Sequence, residues 1–277
     1  MAGKNQNIFR QVYNAHEDVR LLAAVHKVTC VLFRRGVLAA AFNSGNELLT
    51  VHYAGYGLDK EVWDLDFFEP LFSHEPLLSD PSKITKVFYL PTSTMVVPDT
   101  LYDRQKAENW LKIVHFVEEN NEEFKHYFAQ EEKNYIVSAV PMNIMALIKI
   151  NCPTIAVLPV SAYMSRNNYT RGVRIHCHIT PEQCMSSVYH YGSLLWHRVF
   201  AYTNAEDIAF EIRKVCEEHK LNADKVMVNC TTMTAGQFEV AKGLNTFFAG
   251  LTTASGHDLK NPWSPVLSLI KELNECA

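Results

Sequence analysis

The chain has 277 residues, 48% of them hydrophobic and 20% charged, with a net charge of −4 at neutral pH. This is a globular composition with length enough for two domains, and it lacks the basic footprint of a nucleic-acid or membrane-surface binder. No apolar run reaches the ~20 residues of a membrane helix, Met1 to Asn14 has no signal-peptide core, and the seven cysteines form no C-x-x-C pair, so reduced, buried thiols in a cytoplasmic protein are expected.

Residues 1–15 read as a loose arm with at most a short strand or turn. Val19 to Phe33 is apolar and β-prone, interrupted at His26-Lys27, and Arg34-Arg35-Gly36 is a hairpin turn. Val37 to Phe42 is apolar on both faces, which predicts a central strand, and Ser44-Gly45-Asn46 turns the chain into a third strand, Leu48 to Tyr53. Leu58 to Phe72 has helical spacing at Val62, Leu65, Phe68 and Leu71. Pro76 to Pro81 reads as loop, Ile84 to Leu90 as a strand parallel to the first, and Thr94 to Val97 as a short strand. Pro98-Asp99-Thr100 opens a helix to about Lys112, Ile113 to Phe116 reads as a strand, and Glu118 to Glu123 as a solvated turn.

Asn134 to Val140 is a predicted strand, Met142 to Ile150 a helix, Thr154 to Val160 a buried strand, and Ser161 to Asn168 a helix or loop. Val173, Ile175, Cys177 and Ile179 then alternate with Arg174, His176 and His178, the two-residue period of a half-buried strand. Thr180-Pro181-Glu182 turns into Cys184 to Tyr191, and Gly192-Ser193 into Leu194 to Tyr202. Asn204 caps a helix over 205–218 with Ala205, Ile208, Ala209, Ile212, Val215 and Cys216 on one face. Val226 to Val228 starts a strand, and helices are expected over 238–248 and 262–273.

Residues 19–97 and 172–230 therefore share one order: strand, strand, strand, helix, strand. Each is the opening of a ribonuclease-H-like unit, so the expected fold is α/β, an actin-like ATPase fold of two tandem lobes with mixed sheets, residues 1–165 and 166–277.

A resemblance agrees with this. Between Lys86 and Pro141, the chain carries Val97-Pro98, Leu101-Tyr102-Asp103, Trp110-Leu111, Asn134-Tyr135-Ile136-Val137 and Ala139-Val140-Pro141. In these residues it resembles an uncharacterised Bacteroidota family, a domain of unknown function whose members look like actin-like ATPase folds. Tyr135 to Met164 is also similar to the cytoplasmic actin-like domains of pilus-assembly and type II secretion scaffolds. The resemblance implies the fold and no established activity.

An active member of that superfamily cradles phosphates with Asp-x-Gly hairpins at the start of each lobe. Here the first hairpin is Arg34-Arg35-Gly36, without an acid, and the second is Thr180-Pro181-Glu182, without a glycine. The proline removes an amide donor, and Glu182 repels a phosphate that no metal bridges. The expected adenosine turn, Thr234-Ala235-Gly236, has one glycine. Arg34, Arg35, Gly36, Thr180, Glu182 and Gly236 are thus the expected border of an inter-lobe cleft, and no catalytic residue is assigned. There is no P-loop, no G-x-G-x-x-G and no nucleophile elbow. His176, His178, His190 and His197 are a zinc hypothesis on neighbouring strands, set against a polar, half-exposed sheet face, which is the reading retained. The expected function is a non-catalytic binding or scaffold protein with protein partners and no cofactor. The alternative is a divergent ATP-binding phosphotransferase or ATPase using ATP with Mg²⁺.

Overall fold

The structure, a computed structural model, describes residues 8–15, 21–57, 61–115, 117, 121–130, 132–164, 172–253, 259 and 261–275. Ile8–Asn14 (β1), Lys27–Phe33 (β2), Gly36–Phe42 (β3), Leu48–Tyr56 (β4), Ile84–Tyr89 (β5) and Val157–Pro159 (β9) form a six-stranded sheet in the order β1-β4-β3-β2-β5-β9. The strands β2, β3 and β4 are an antiparallel meander, and β5 lies parallel to β2. Every residue of β3 is buried, as its unbroken apolar run requires. The N-terminal arm contributes β1, antiparallel to β4 at the sheet edge.

Two helices cover one face of this sheet: Leu65–His74 (α1) supplies Phe67, Phe68, Leu71 and Phe72, and Met142–Asn151 (α3) supplies Ile144, Met145, Leu147 and Ile148. The expected helix over 58–72 begins later than its periodicity suggests. Asp64 caps α1 by accepting the Asp66 N–H at 3.1 Å, and Trp63 just before it has φ of 59°, which no helix continues through. Residues 58–60 lie outside the described residues.

A three-stranded sheet, β6-β8-β7, is formed by Ser93–Pro98 (β6), Glu122–Ala129 (β7) and Asn134–Pro141 (β8). The expected strand over 113–116 is replaced by the end of a helix, Arg104–Val114 (α2), with Phe116 outside the described residues. The acidic turn expected over 118–123 gives way at Glu122 to β7, whose mostly half-buried side chains tolerate its charges. Residues 118–120 again lie outside the described residues.

After the short helix Ser161–Met164 (α4), the second sheet repeats the plan. Val173–Ile179 (β10), Gln183–His190 (β11), Ser193–Ala201 (β12), Met227–Thr232 (β13) and Gly250–Thr253 (β14) take the order β12-β11-β10-β13-β14. Here too the first strand pairs antiparallel with the second and parallel with the fourth. The two meanders thus begin two separate mixed sheets of one order, an actin-like ATPase fold of two ribonuclease-H-like halves. Packing divides the chain into two compact units, Met1–Ser93 with Glu108–Tyr127 and Ser138–Val160, and Thr94–Ala107 with Phe128–Val137 and Ser161–Ala277. The boundary expected near residue 165 falls in 165–171, outside the described residues.

The two faces of β10 differ. Ile175, Cys177 and Ile179 pack with Ile208, Ala209, Ile212, Val215 and Cys216 of Ala205–Glu218 (α5), on the face its sequence period assigns. Burying each of the isoleucines and the valine in this set stabilises the fold by ~1.5–3 kcal/mol. Asn204 accepts the Asp207 N–H at 3.0 Å while the Asp207 carboxylate accepts the Thr203 N–H at 2.7 Å, a reciprocal cap. Phe238–Gly243 (α6) closes the same core, and Ser264–Glu275 (α7) packs against β13 and β14.

The opposite face of β10 carries His176 and His178, both fully buried rather than half-exposed. His178 Nδ1 is hydrogen-bonded to the Thr231 hydroxyl, and His197 Nδ1 lies 2.7 Å from Ser187 Oγ. Burial lowers the pKa of His176 to about 4, with Arg174 adding to the effect, and burial alone lowers His197 to about 4. Burial also holds His178 well below its ordinary value, reinforced by His176 and His197.

Two expected outcomes follow. A Cβ on Gly36 would lie 2.7 Å from the Ala54 carbonyl oxygen and 2.8 Å from Phe33 Cζ, so Gly36→Val should cost roughly 1–3 kcal/mol. A urea midpoint equal to the parent's would show that the hairpin accommodates the side chain. The histidines must charge in the unfolded chain before they charge in the folded one, so the unfolded state binds more protons between pH 6.5 and about 4. Stability should be whole above that window and fall as pH drops through it. His197→Gln should flatten the fall measured by thermal melts, and an unchanged slope would remove His197 as a contributor.

Candidate functional site

In the second unit the turn residues converge at one end of the parallel pair. Ile179 of β10 stands opposite Thr232 of β13, and the Met233 N–H donates to the Ile179 carbonyl at 3.0 Å. The turns 180–183 and 234–237 therefore leave neighbouring strand ends. This brings Thr180, Glu182 and Gly236 to one region of the fold. Thr180 Oγ1 accepts the Gln183 N–H at 2.9 Å and the Glu182 N–H at 3.3 Å, and the Thr180 N–H donates to the Gln183 carbonyl at 2.8 Å. The Tyr202 hydroxyl donates to the Thr180 carbonyl at 2.5 Å. In the other turn Thr234 Oγ1 accepts the Gly236 N–H at 3.1 Å, and its hydroxyl donates to Gln237 Oε1. The amides of Glu182, Gln183 and Gly236 thus bond to threonine hydroxyls of their own turns.

Arg34, Arg35 and Gly36 belong to the first unit. Phe33 pairs with Gly36, so Arg34-Arg35 is a two-residue turn between β2 and β3. The Arg34 carbonyl accepts the Trp63 N–H at 2.8 Å and the Tyr56 hydroxyl at 2.9 Å. The Arg35 carbonyl accepts the Tyr56 N–H at 3.0 Å. The Arg35 guanidinium donates to the Gly57 carbonyl at 2.9 Å and lies 5.6 Å from the centre of the Tyr56 ring, so its charge is held against its own hairpin.

Arg34 instead lines a cavity of about 620 Å³ in the first unit. Its other walls are residues 61–65 ahead of and entering α1, Thr92 and Ser93 after β5, Asn121 and Glu122 at the start of β7, and residues 141–143 at the start of α3. Trp63 is 7% exposed and stacks on Phe68 with ring centres 5.7 Å apart. Its indole N–H meets no acceptor, and Thr92 Oγ1 is likewise buried without a hydrogen-bond partner among the described residues. Trp63, Thr92, Glu61 and Glu122 were not anticipated from the sequence. The only local signal was Trp63-Asp64 inside a stretch whose apolar spacing reads as helix.

The four histidines of the zinc hypothesis do not all meet. His176, Ser187 and His197 lie side by side across three strands, and the ring centres of His176 and His178 are 6.4 Å apart. His190 ends β11 opposite Val173 and Ser193, against Tyr191, away from the other three. Among the described residues no three His, Cys, Asp or Glu side chains are arranged to hold a metal ion. Cys30, Cys152, Cys177, Cys184, Cys216 and Cys230 are free and buried, and Cys276 lies outside the described residues. No helix among the described residues is long and apolar enough to cross a membrane.

With this geometry in hand, the chain can be set beside known proteins. A protein of actin-like ATPase fold and unknown function from Bacteroides thetaiotaomicron superposes with a TM-score of 0.68 at 12% identity, covering 94% of this chain and 100% of the other. The PilM-PilN type IV pilus biogenesis complex gives a TM-score of 0.56 at 11% identity, covering 91% and 98%. The cytoplasmic domain of EpsL, an inner-membrane component of the Vibrio cholerae type II secretion system, gives 0.47 at 10% identity, covering 90% and 94%. The likeness is one of fold. No curated protein sequence matches the chain. A family profile described as "Protein of unknown function (DUF3822)" matches residues 37–251, and the chain belongs to that family.

Proposed function

We propose that this protein is a non-catalytic binding module of the cytoplasm, built on an actin-like ATPase fold whose turns no longer serve nucleotide, and that its partner is another protein. One observation carries this reading. The amides of Glu182, Gln183 and Gly236, which stand where the fold would present donors to phosphate, are already bonded to Thr180 and Thr234. Phosphate binding at such a turn needs unspent N–H groups and a carboxylate directed at Mg²⁺. The first hairpin has no carboxylate, and its carbonyls are taken by Trp63 and Tyr56. The PilM-PilN complex, which shares the fold, is an assembly of two proteins, and that supports a protein partner here.

The test is calorimetry and thermal melting with millimolar ATP, with and without Mg²⁺. A ligand bound only by the folded state raises the melting temperature in proportion to RT ln(1 + [L]/Kd). The expected result is no heat of binding and no shift in either condition. A Mg²⁺-dependent shift that disappears in Gly236→Val would restore the phosphotransferase reading.

A further inference from the structure

We infer that the cavity beside Arg34 receives a basic side chain of the partner, an arginine or lysine presented together with its own peptide carbonyl. The inference deepens the protein-binding reading above and rests on it. At about 620 Å³ the cavity is of the size that ordinarily holds a small ligand, ~300–1,000 Å³. The polar cavity beside His197 and Ser161 in the second unit, at about 10 Å³, has room for a single water.

Charge decides the sign of the occupant. The walls bring one arginine, Arg34, and three carboxylates, Glu61, Asp64 and Glu122. An anionic occupant would meet three like charges against the one opposite charge of Arg34, whereas a guanidinium or ammonium group meets three opposite charges against one like charge, and charge pairs are strengthened where water is partly excluded. One carboxylate is also geometrically fixed, because Asp64 Oδ1 is held by the Asp66 N–H at the start of α1.

Trp63 supplies the second half of the argument. The residue is 93% buried, since 7% of it is exposed, yet its indole N–H meets no acceptor among the described residues. An indole N–H can only donate, and buried donors are nearly always satisfied. The group it awaits is therefore an acceptor, as a peptide carbonyl is. Thr92 Oγ1, also buried and without a partner among the described residues, adds a hydroxyl able to bond the neighbouring amide or carbonyl. Trp63 is held in this position at φ of 59°, a conformation that bulky residues adopt under constraint, by its N–H bond to the Arg34 carbonyl. A cation beside a carbonyl is what an arginine or lysine residue in an extended peptide presents, whereas a free nucleotide is an anion at neutral pH.

The chain has four tryptophans, so the indole region of a ¹⁵N spectrum should hold four resonances, with Trp63 identified by its loss in Trp63→Phe. Acetyl-arginine-amide and acetyl-lysine-amide should move the Trp63 resonance saturably, leaving the other three in place. Acetyl-citrulline-amide, which keeps the shape and the carbonyl but lacks the charge, should bind at least ~10-fold more weakly, as loss of a charge-assisted contact predicts. Glu122→Gln and Glu61→Gln should each weaken the arginine probe several-fold while their melting temperatures stay at the parent value. No movement of Trp63 with any probe, or equal movement with citrulline, overturns the inference. Spermidine acting as well as the arginine probe, with no effect of the carbonyl, overturns the peptide assignment. ATP binding in the calorimetry above would sink the protein-binding reading instead, so the two failures are told apart by different instruments.

Discussion

Both halves of the molecule depend on one pairing, that of the first strand of each meander with a parallel partner reached by a crossover. In the first sheet Val28 to Leu32 run beside Ile84 to Tyr89, and in the second Arg174 to Ile179 run beside Met227 to Thr232. A parallel neighbour cannot be joined by a tight turn, so the chain must leave the sheet, cross a face with a helix and return. The outcome is that both strands of the pair end on the same side. Arg34 follows β2 and Thr92 follows β5, while Thr180 follows β10 and Thr234 follows β13. Open α/β sheets place their ligands beyond the carboxyl ends of such strands. The candidate residues of each unit are therefore gathered by strand direction, before any side chain has been chosen.

This explains which parts of the molecule the sequence reveals. A meander writes itself locally, as the alternation of Ile175, Cys177 and Ile179 with His176 and His178 does, and helix α5 announces both its cap and its buried face. The strands β7 and β14 were missed because little in either is locally informative: β7 is charged and mostly half-buried, and β14 is four residues of a sheet edge. The turns were legible as turns, since proline, glycine and paired arginines punctuate them. The cavity was not, because its walls come from five segments that only the fold assembles. Trp63 is the sharpest case. Its apolar character suits the helix that the spacing of Val62 and Leu65 suggests, while its left-handed backbone keeps that helix from beginning before Leu65.

The buried polar face of β10 shows a different balance. His176 and His178, with His197 of β12 nearby, stand where an apolar face would pack with fewer conditions, and hydroxyls hold two of the ring nitrogens, Thr231 that of His178 and Ser187 that of His197. Such a layer adds less free energy than hydrocarbon would, but it tolerates few alternative registers, because a one-residue slip would drive the imidazoles into the apolar core. The apolar face beneath it is rich in small thiols, Cys177, Cys184 and Cys230, so the two faces cannot exchange roles.

The threonine-bonded turns have a consequence for timing. In a nucleotide-driven machine, a loop that loses its phosphate also loses what ordered it, and the cycle of order and release makes a clock. Thr180 and Thr234 order their own turns from within. A turn arranged in this way needs no bound ligand to hold its shape, because the bonds that order it are its own.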